Sequence, residues 1–499
     1  MYKSFAILIT VLMTAISALP QTFTLDSFTK AKTVLDRSVA AYGGREALNS
    51  ISNVSIRIAG ESVHRNQSRR PGDLDRTPYS GEFVIDVKNS RALQTQKGHY
   101  PGGFDWHTGY VIDAGNRTNF DLIRKTSNPP GPVSPAVFRG IIRWLPQLVL
   151  LNVLERADTL RYLGKTNYDK RPHEVIDYVS PDNSRLALYI DEQTGLLSKF
   201  EIMFTDRFSG DNVLETRFPG QRKVGNYIVP TARVHVMDGD VVVNDYRFTE
   251  VTFNTELRPE LFKVPEGFRA VTFPTPTPVT KHAEKIYTTS AGGYNVLFVD
   301  FNDYIFVMEA PGSDRVSLQA IEQIRKTIPG KPIKYVAVTH HHDDHAGGIR
   351  TYMAEGATLI VAPGEQAFFK KVSELRYKAD PDALTRNPRA AVFEPVQNGK
   401  RVLTDGTTTV EIYDIGKGPH AEEMLVAYFP DHKLIYQGDL LNRPSNGDYP
   451  IANDTSAHFL NWIDTRKLAV EATIPVHGPL TTIAEFRKAV AEMKKDKAN

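Results

Sequence analysis

The sequence predicts an α+β chain of two domains, a mainly antiparallel β domain with helices followed by an αββα sandwich. Three observations predict it. The run Phe273-Pro274-Thr275-Pro276-Thr277-Pro278-Val279-Thr280 spaces prolines so that the backbone stays extended and out of sheets and helices. Before it, short β-branched and alternating stretches dominate. After it, apolar strands alternate with amphipathic helices, the order expected of a layered sandwich. The expected units are a leader over residues 1–20, a β domain over 21–272, a linker over 273–280 and a second domain over 281–499.

In the first unit, Ile51 to Ala59, Glu82 to Val87 and Arg185 to Ile190 read as strands. Asp238-Gly239 between Val234–Met237 and Asp240–Val243 is a hairpin signal, and Glu192-Gln193-Thr194-Gly195 marks another turn. Ser27 to Ala41 reads as a helix stopped by Gly43-Gly44. Ser134 to Arg156 reads as helical, divided by Pro146. In the second unit, strands are expected at Val296–Val299, Tyr304–Val307, Ile333–Val338, Thr358–Val361, Thr408–Tyr413, Leu425–Phe429 and Lys433–Tyr436. Helices are expected at Ser313–Ile328, with Ser313 as its cap, and at Gly347–Ala354, Pro363–Leu375, Ser456–Val470 and Ile483–Lys494.

The 499 residues are too many for one core. With 41% apolar and 24% charged residues and a formal net charge of +2, the chain has a globular composition. It lacks the basic block of a nucleic-acid binder. There is no cysteine, which excludes disulfides, thiolate ligands and cysteine nucleophiles. Lys3 followed by the apolar run Phe5 to Ala18 reads as a secretory signal cleaved near Ala18 to Gln21, with an uncleaved anchor as the alternative. The expected location is therefore exported, periplasmic or secreted. No later segment reads as membrane-spanning.

The chemistry concentrates in Thr339-His340-His341-His342-Asp343-Asp344-His345-Ala346-Gly347-Gly348. Its His-x-His-x-Asp-His spacing follows an apolar strand. A strand end throws alternate residues to one side, so His340 and His342 can share one ion. Asp344 and His345 can reach a second. Imidazole and carboxylate suit zinc, with iron or manganese as options. Gly347-Gly348 let backbone pass close behind. His420, Asp439 and His477 each lie near the end of an apolar strand. His341 is expected to point away, and Asp343 to be a surface carboxylate. His432 falls in a turn and His458 at a helix start, outside the ligand set.

In this pattern the segment from Lys281 to Asn499 resembles the metallo-β-lactamase superfamily. The resemblance implies one ion held by His340, His342 and His420, another by Asp344, His345 and His477, and Asp439 bridging both. It implies a dinuclear zinc-dependent hydrolase that uses a metal-bridging hydroxide on an ester, lactone, thioester or amide, with Asp344 as the catalytic proton carrier. By that resemblance Asp439 points toward glyoxalase-II-like and lactonase-like branches rather than β-lactamases, and the absence of cysteine rejects the cysteine-liganded β-lactamase subclasses. Two positions depart from the pattern. Glu309 stands where an aspartate is frequent, and Ala421-Glu422-Glu423 follow His420 where small polar residues are frequent. The loop Leu440 to Asp454, with Asn442, Arg443, Asn446, Tyr449 and Asn453, is the expected source of specificity.

The first unit resembles periplasmic lipoprotein-carrier-like domains, through Ala41-Tyr42-Gly43-Gly44-Arg45-Glu46-Ala47-Leu48, the run Val224 to Pro230, and Leu261-Phe262-Lys263-Val264-Pro265. That resemblance implies a curved sheet around helices and a possible lipid or apolar ligand. Two other readings stand beside the hydrolase: a mononuclear iron enzyme acting as a persulfide dioxygenase, and a non-enzymatic envelope binding protein.

Overall fold

A computed structural model describes residues 22–273 and 277–498. The leader and part of the proline-rich run lie outside the described residues. In the N-terminal domain one long sheet curls around helices. Its two halves join where Asn53–Val63 pairs antiparallel with Val241–Phe253. Helix Phe23–Ala41 ends before Gly43, whose φ of 94° is readily adopted only by glycine. Pro146 divides the next helical stretch by opening a new helix. Pro135–Ile141 stops, and Pro146–Glu155 starts with proline at its first position, where no N–H is needed. Leu148, Val149, Leu150 and Val153 of that helix are fully buried. They fill the concave face together with Phe83, Trp144 and Phe200. A lipid or apolar ligand in this domain finds no support. Asp238 and Gly239 both have positive φ (50° and 84°), as the hairpin requires, but pairing resumes only at Val241, which makes the loop three residues long.

The C-terminal domain is an αββα sandwich. One seven-stranded sheet runs in the order Val279–Ala283, Ile286–Ala291, Tyr294–Asp300, Ile305–Met308, Ile333–Ala337, Thr358–Val361, Val392–Pro395. It turns parallel from Ile305 onward. A six-stranded sheet runs from Lys400–Thr404 through Thr409–Asp414, Leu425–Phe429, Leu434–Gln437 and Ala472–Pro475 to Thr481–Thr482. Phe306, Met308, Leu297 and Val299 of the first sheet meet Val410, Ile412, Leu425 and Ala427 of the second. Fully burying each large side chain there contributes about 1.5–3 kcal/mol. Helices Asp314–Thr327 and Ile349–Glu355 cover the first sheet, and Asp454–Thr465 and Ile483–Ala498 cover the second. Two details differ from expectation. Ser313 sits at the N-cap but makes no side-chain cap bond. Val279 and Thr280, assigned to the linker, already belong to the edge strand of the sandwich. No helix among the described residues is long and apolar enough to cross a membrane.

Candidate metal centre

Strand ends deliver the site. Ile333–Ala337 leads into His340 and His342, Leu434–Gln437 into Asp439, and Ala472–Pro475 into His477. His420 lies between Thr409–Asp414 and Leu425–Phe429. The structure brings all seven expected ligands together in two clusters, His340 with His342 and His420, and Asp344 with His345, Asp439 and His477.

The spacing can be compared with that around a metal ion. Zinc–nitrogen bonds of about 2.0–2.1 Å in tetrahedral geometry place ligand atoms about 3.3 Å apart. Nε2 of His340 and Nε2 of His420 are 3.2 Å apart. Nε2 of His345 is 3.2 Å from Asp439 Oδ2 and 3.5 Å from Asp344 Oδ2. Nε2 of His477 is 3.3 Å from Asp439 Oδ1 and 3.7 Å from Asp344 Oδ2. Asp439 Oδ2 also lies 3.4 Å from His420 Nε2, so this carboxylate touches both clusters. Nδ1 of His342 is buried without a hydrogen-bond partner. The donor set, five imidazoles and two carboxylates around the two centres, with this orphaned nitrogen among them, fits a pair of ions.

Electrostatics agree. Burial, then the crowding of neighbouring imidazoles, lowers the pKa of His340 and His342 well below the ordinary value, keeping them in the neutral form that binds metal. Burial also opposes the charge of His345, but Asp344, Asp439 and Glu309 outweigh it and raise its pKa. Three carboxylates thus demand positive charge at this point, which a divalent cation supplies. Burial likewise opposes ionisation of Asp344, and His345, His477 and Gln67 overcome it.

Glu309 fills the position of the frequent aspartate productively. It is fully buried, with Oε2 2.9 Å from His345 Nδ1 and Oε1 accepting from Thr339 N at 2.7 Å. Its φ of 96° is rare for a non-glycine residue, and such conformations collect at functional sites. Asp439, at φ 56°, accepts from Asn442 Nδ2 on Oδ1 at 2.8 Å. Gly347 lets backbone pass as expected, since a Cβ there would lie 2.3 Å from the Asp343 carbonyl. In the loop after Asp439, Asn453 caps helix Asp454–Thr465. Arg443 binds Gly447 O and Glu485, Asn446 binds Asp448, and Tyr449 donates to Glu485 O. His341 stays out of both clusters. His458 packs beside Gly418.

Asp343 is not a surface carboxylate. Gln67 Nε2 donates to its Oδ1 at 2.6 Å and Arg207 pairs with its Oδ2 at 3.1 Å, both from the N-terminal domain. Glu422, the other departure, has the same use. It pairs with Arg70 at 2.9 Å, and its N–H donates to Arg69 O. Gly102 presses its backbone on His420, where a Cβ would come within 2.6 Å of Cα. Residue reading missed Gln67 and Ser68 altogether, because nothing near them in sequence resembles a site.

The two domains enclose a cleft of about 600 Å³ that opens on His477 and Asn442. Its N-terminal wall presents Gln94, Gln96, Arg117, Asn119 and Arg124, and its other wall is Asn442 to Asn446.

An αββα sandwich with two clusters of candidate metal ligands at its strand ends is an architecture that metal-dependent hydrolases use. Residues 311–482 match the model of the metallo-beta-lactamase superfamily. Among curated relatives, a metallo-beta-lactamase type 2 of Bacillus cereus is 24% identical over 194 residues, 37% of this chain and 66% of the relative. The lactamase-like protein vrtG of Penicillium aethiopicum is 25% identical over 146 residues, 29% of this chain and 39% of the relative. Among solved structures, the mono-zinc form of the metallo-beta-lactamase FIM-1 from Pseudomonas aeruginosa aligns with 45% of this chain and 98% of its own, at 21% identity and TM-score 0.32. The sec-alkylsulfatase Pisa1 from Pseudomonas sp. aligns at 15% identity and TM-score 0.32, over 43% of this chain and 40% of its own. The C-terminal domain belongs to the metallo-β-lactamase superfamily.

Proposed function

We propose that this protein is a dinuclear zinc-dependent hydrolase of a small polar ester, lactone, thioester or amide. The observation that carries the reading is the set of ligand-atom spacings in the two clusters, 3.2 to 3.7 Å, with Asp439 reaching both. His340, His342 and His420 would hold one ion, Asp344, His345 and His477 the other. Two such ions, when bound, bring a water toward neutral pKa and polarise the carbonyl it attacks. The chain's own residues do the rest. Asp344, with 28% of its side chain exposed, orients the nucleophile and carries its proton to the leaving group. Asn442 holds Asp439 Oδ1, keeping Oδ2 between the clusters. Glu309 keeps the His345 ring turned so that Nε2 faces inward.

The cleft suggests what the substrate carries. Its N-terminal wall is lined by amides and by Arg117 and Arg124. Arg117 is fixed over the Tyr110 ring, 4.0 Å from its centroid, and its Nε donates to Asn119 at 2.9 Å, which leaves its terminal nitrogens for a carboxylate or similar anionic group. The names of the curated relatives put β-lactams in the test panel. The presence of Asp439 favours lactone and thioester chemistry over them, and the lack of cysteine rejects the cysteine-liganded β-lactamase subclasses. The panel is hydrolysis of paired substrates, each as free carboxylate and methyl ester, before and after chelation. Chelator-sensitive turnover with preference for the carboxylate members is expected. Turnover of none by metal-loaded protein would refute the reading.

A further inference from the structure

We propose that the loop His64–Asp75 of the N-terminal domain is part of the metal centre, with Ser68 selecting the tautomer of His342 and Gln67 positioning Asp344. The inference rests on the metal reading above and assigns the N-terminal domain a role in it.

The loop is built to hold a shape. It joins strands Asn53–Val63 and Arg76–Asp86. His64 N donates to Asp75 O at 2.8 Å, Ser68 Oγ donates to His64 O at 2.7 Å, and Asp75 N donates to Ser68 Oγ at 2.9 Å. Arg69 N donates to the Asp75 carboxylate at 2.8 Å. Arg65 ties the loop base to Asp206 at 2.6 Å. Its tip enters the sandwich, where Asp343 N donates to Asn66 O at 3.2 Å and Glu422 N to Arg69 O at 2.9 Å.

Between those two anchors the Ser68 carbonyl, on a residue 1% exposed, accepts from Nε2 of His342 at 2.9 Å and from Nε2 of His341 at 3.0 Å. A carbonyl has two lone pairs and no proton to give, so both imidazoles must carry hydrogen on Nε2. For His342 that leaves Nδ1 as the lone-pair nitrogen, and Nδ1 is the buried atom without a partner. An acceptor behind a ligating imidazole fixes both the tautomer and the ring orientation. His341 is clamped at its other side by Glu365, 3.1 Å from Nδ1.

Gln67 acts on the second cluster. Its Nε2 lies 2.8 Å from Asp344 Oδ1 and 2.6 Å from Asp343 Oδ1. An amide NH₂ can face two carboxylates at once, each taking one hydrogen. Asp344 Oδ1 is thereby engaged, and Oδ2 turns to His345 and His477. Gln67 touches no reacting atom and is a positioning residue.

The test is cobalt(II) titration of the full-length, metal-stripped chain, followed by visible absorption and elemental analysis. Three chains are compared: parent, Gln67→Met and Arg207→Ala. Methionine keeps the length of glutamine and removes its donor. Arg207→Ala removes the other partner of Asp343 and leaves Asp344 alone. We expect two cobalt ions in the parent and in Arg207→Ala. In Gln67→Met the first ion should bind as in the parent and the second 10- to 100-fold more weakly. Nitrogen-15 histidine spectra of the loaded parent should show His342 protonated at Nε2. Parent-like binding of both ions by Gln67→Met, equal weakening by Arg207→Ala, or a His342 proton on Nδ1 would each overturn the assignment. A parent chain that takes up no cobalt would overturn the metal reading, and this inference with it.

Discussion

The two oxygens of Asp344 have different partners, Gln67 on Oδ1 and the imidazoles of His345 and His477 on Oδ2. Asparagine in its place can still accept from Gln67, so its position should survive. It cannot carry a proton, and it is a weaker ligand. Asp344→Asn should therefore retain the parent's circular dichroism and thermal midpoint while kcat falls by about 100-fold or more. An unchanged kcat would remove Asp344 from the chemistry. At this scale the gathering of the seven side chains into two clusters was legible, because strand alternation and a fixed spacing announce it. Gln67 and Ser68 were not. They meet residues 343, 344, 341 and 342 across some 275 positions of chain, and no periodicity records such a contact. Asp343 was misjudged for the same reason, since a carboxylate in a polar loop looks solvated until the other domain covers it.

The helix behind the histidine motif, Ile349–Glu355, is held to its neighbours by a buried ion pair. Arg350 is 2% exposed. It meets Asp382 through both Nε and Nη2, the latter at 3.0 Å, and donates to Val372 O at 2.7 Å. Asp382 also caps Ala383–Arg386 by accepting from Thr385 N. Burial alone would raise the pKa of Asp382, but hydrogen bonds from Arg350 and Thr385 outweigh it and hold it below the ordinary 3.8. A depressed carboxylate contributes stability that is fully present above pH 3.8 and lost as pH falls toward its folded value. Asp382→Asn should cost about 3–5 kcal/mol near neutrality by stranding Arg350. Its deficit against the parent should shrink in denaturant melts below about pH 4. A deficit that stays constant down to pH 3 would contradict the assignment. Elements with a repeating apolar face were readable, as was the division at Pro146. The edge strands Val279–Ala283 and Lys400–Thr404 were not, because each pairs on one side only and carries Thr280, Lys281, Lys400 and Arg401 where a buried strand would alternate.

At the scale of the molecule, the sandwich supplies the two clusters of candidate metal ligands and the curled sheet supplies a wall and a brace. Besides Glu485, the N-terminal domain clamps the loop after Asp439: Arg269 pairs with Asp448 at 2.5 Å and Arg124 reaches Tyr449 O at 3.5 Å. Which face of one domain packs on the other is set by complementary shape and charge, which neither hydrophobic periodicity nor motif spacing encodes. Arg117→Ala separates the wall from the metals. It should raise KM about 10-fold for a carboxylate-bearing substrate, the loss of one charge-assisted contact of about 1.5 kcal/mol. It should leave KM for the methyl ester, kcat and metal content as in the parent. Equal KM changes for both substrates would show that Arg117 shapes the cleft without reading charge.

The central claim is that seven side chains hold two ions in one active chain, and its most direct test is elemental analysis of the purified, full-length protein alongside its turnover. The account predicts two zinc-class ions per chain, turnover lost when they are stripped and restored when zinc is returned. One iron per chain with oxygen-dependent activity would contradict it in favour of the mononuclear alternative. Full turnover from a chain that holds no metal would contradict it outright.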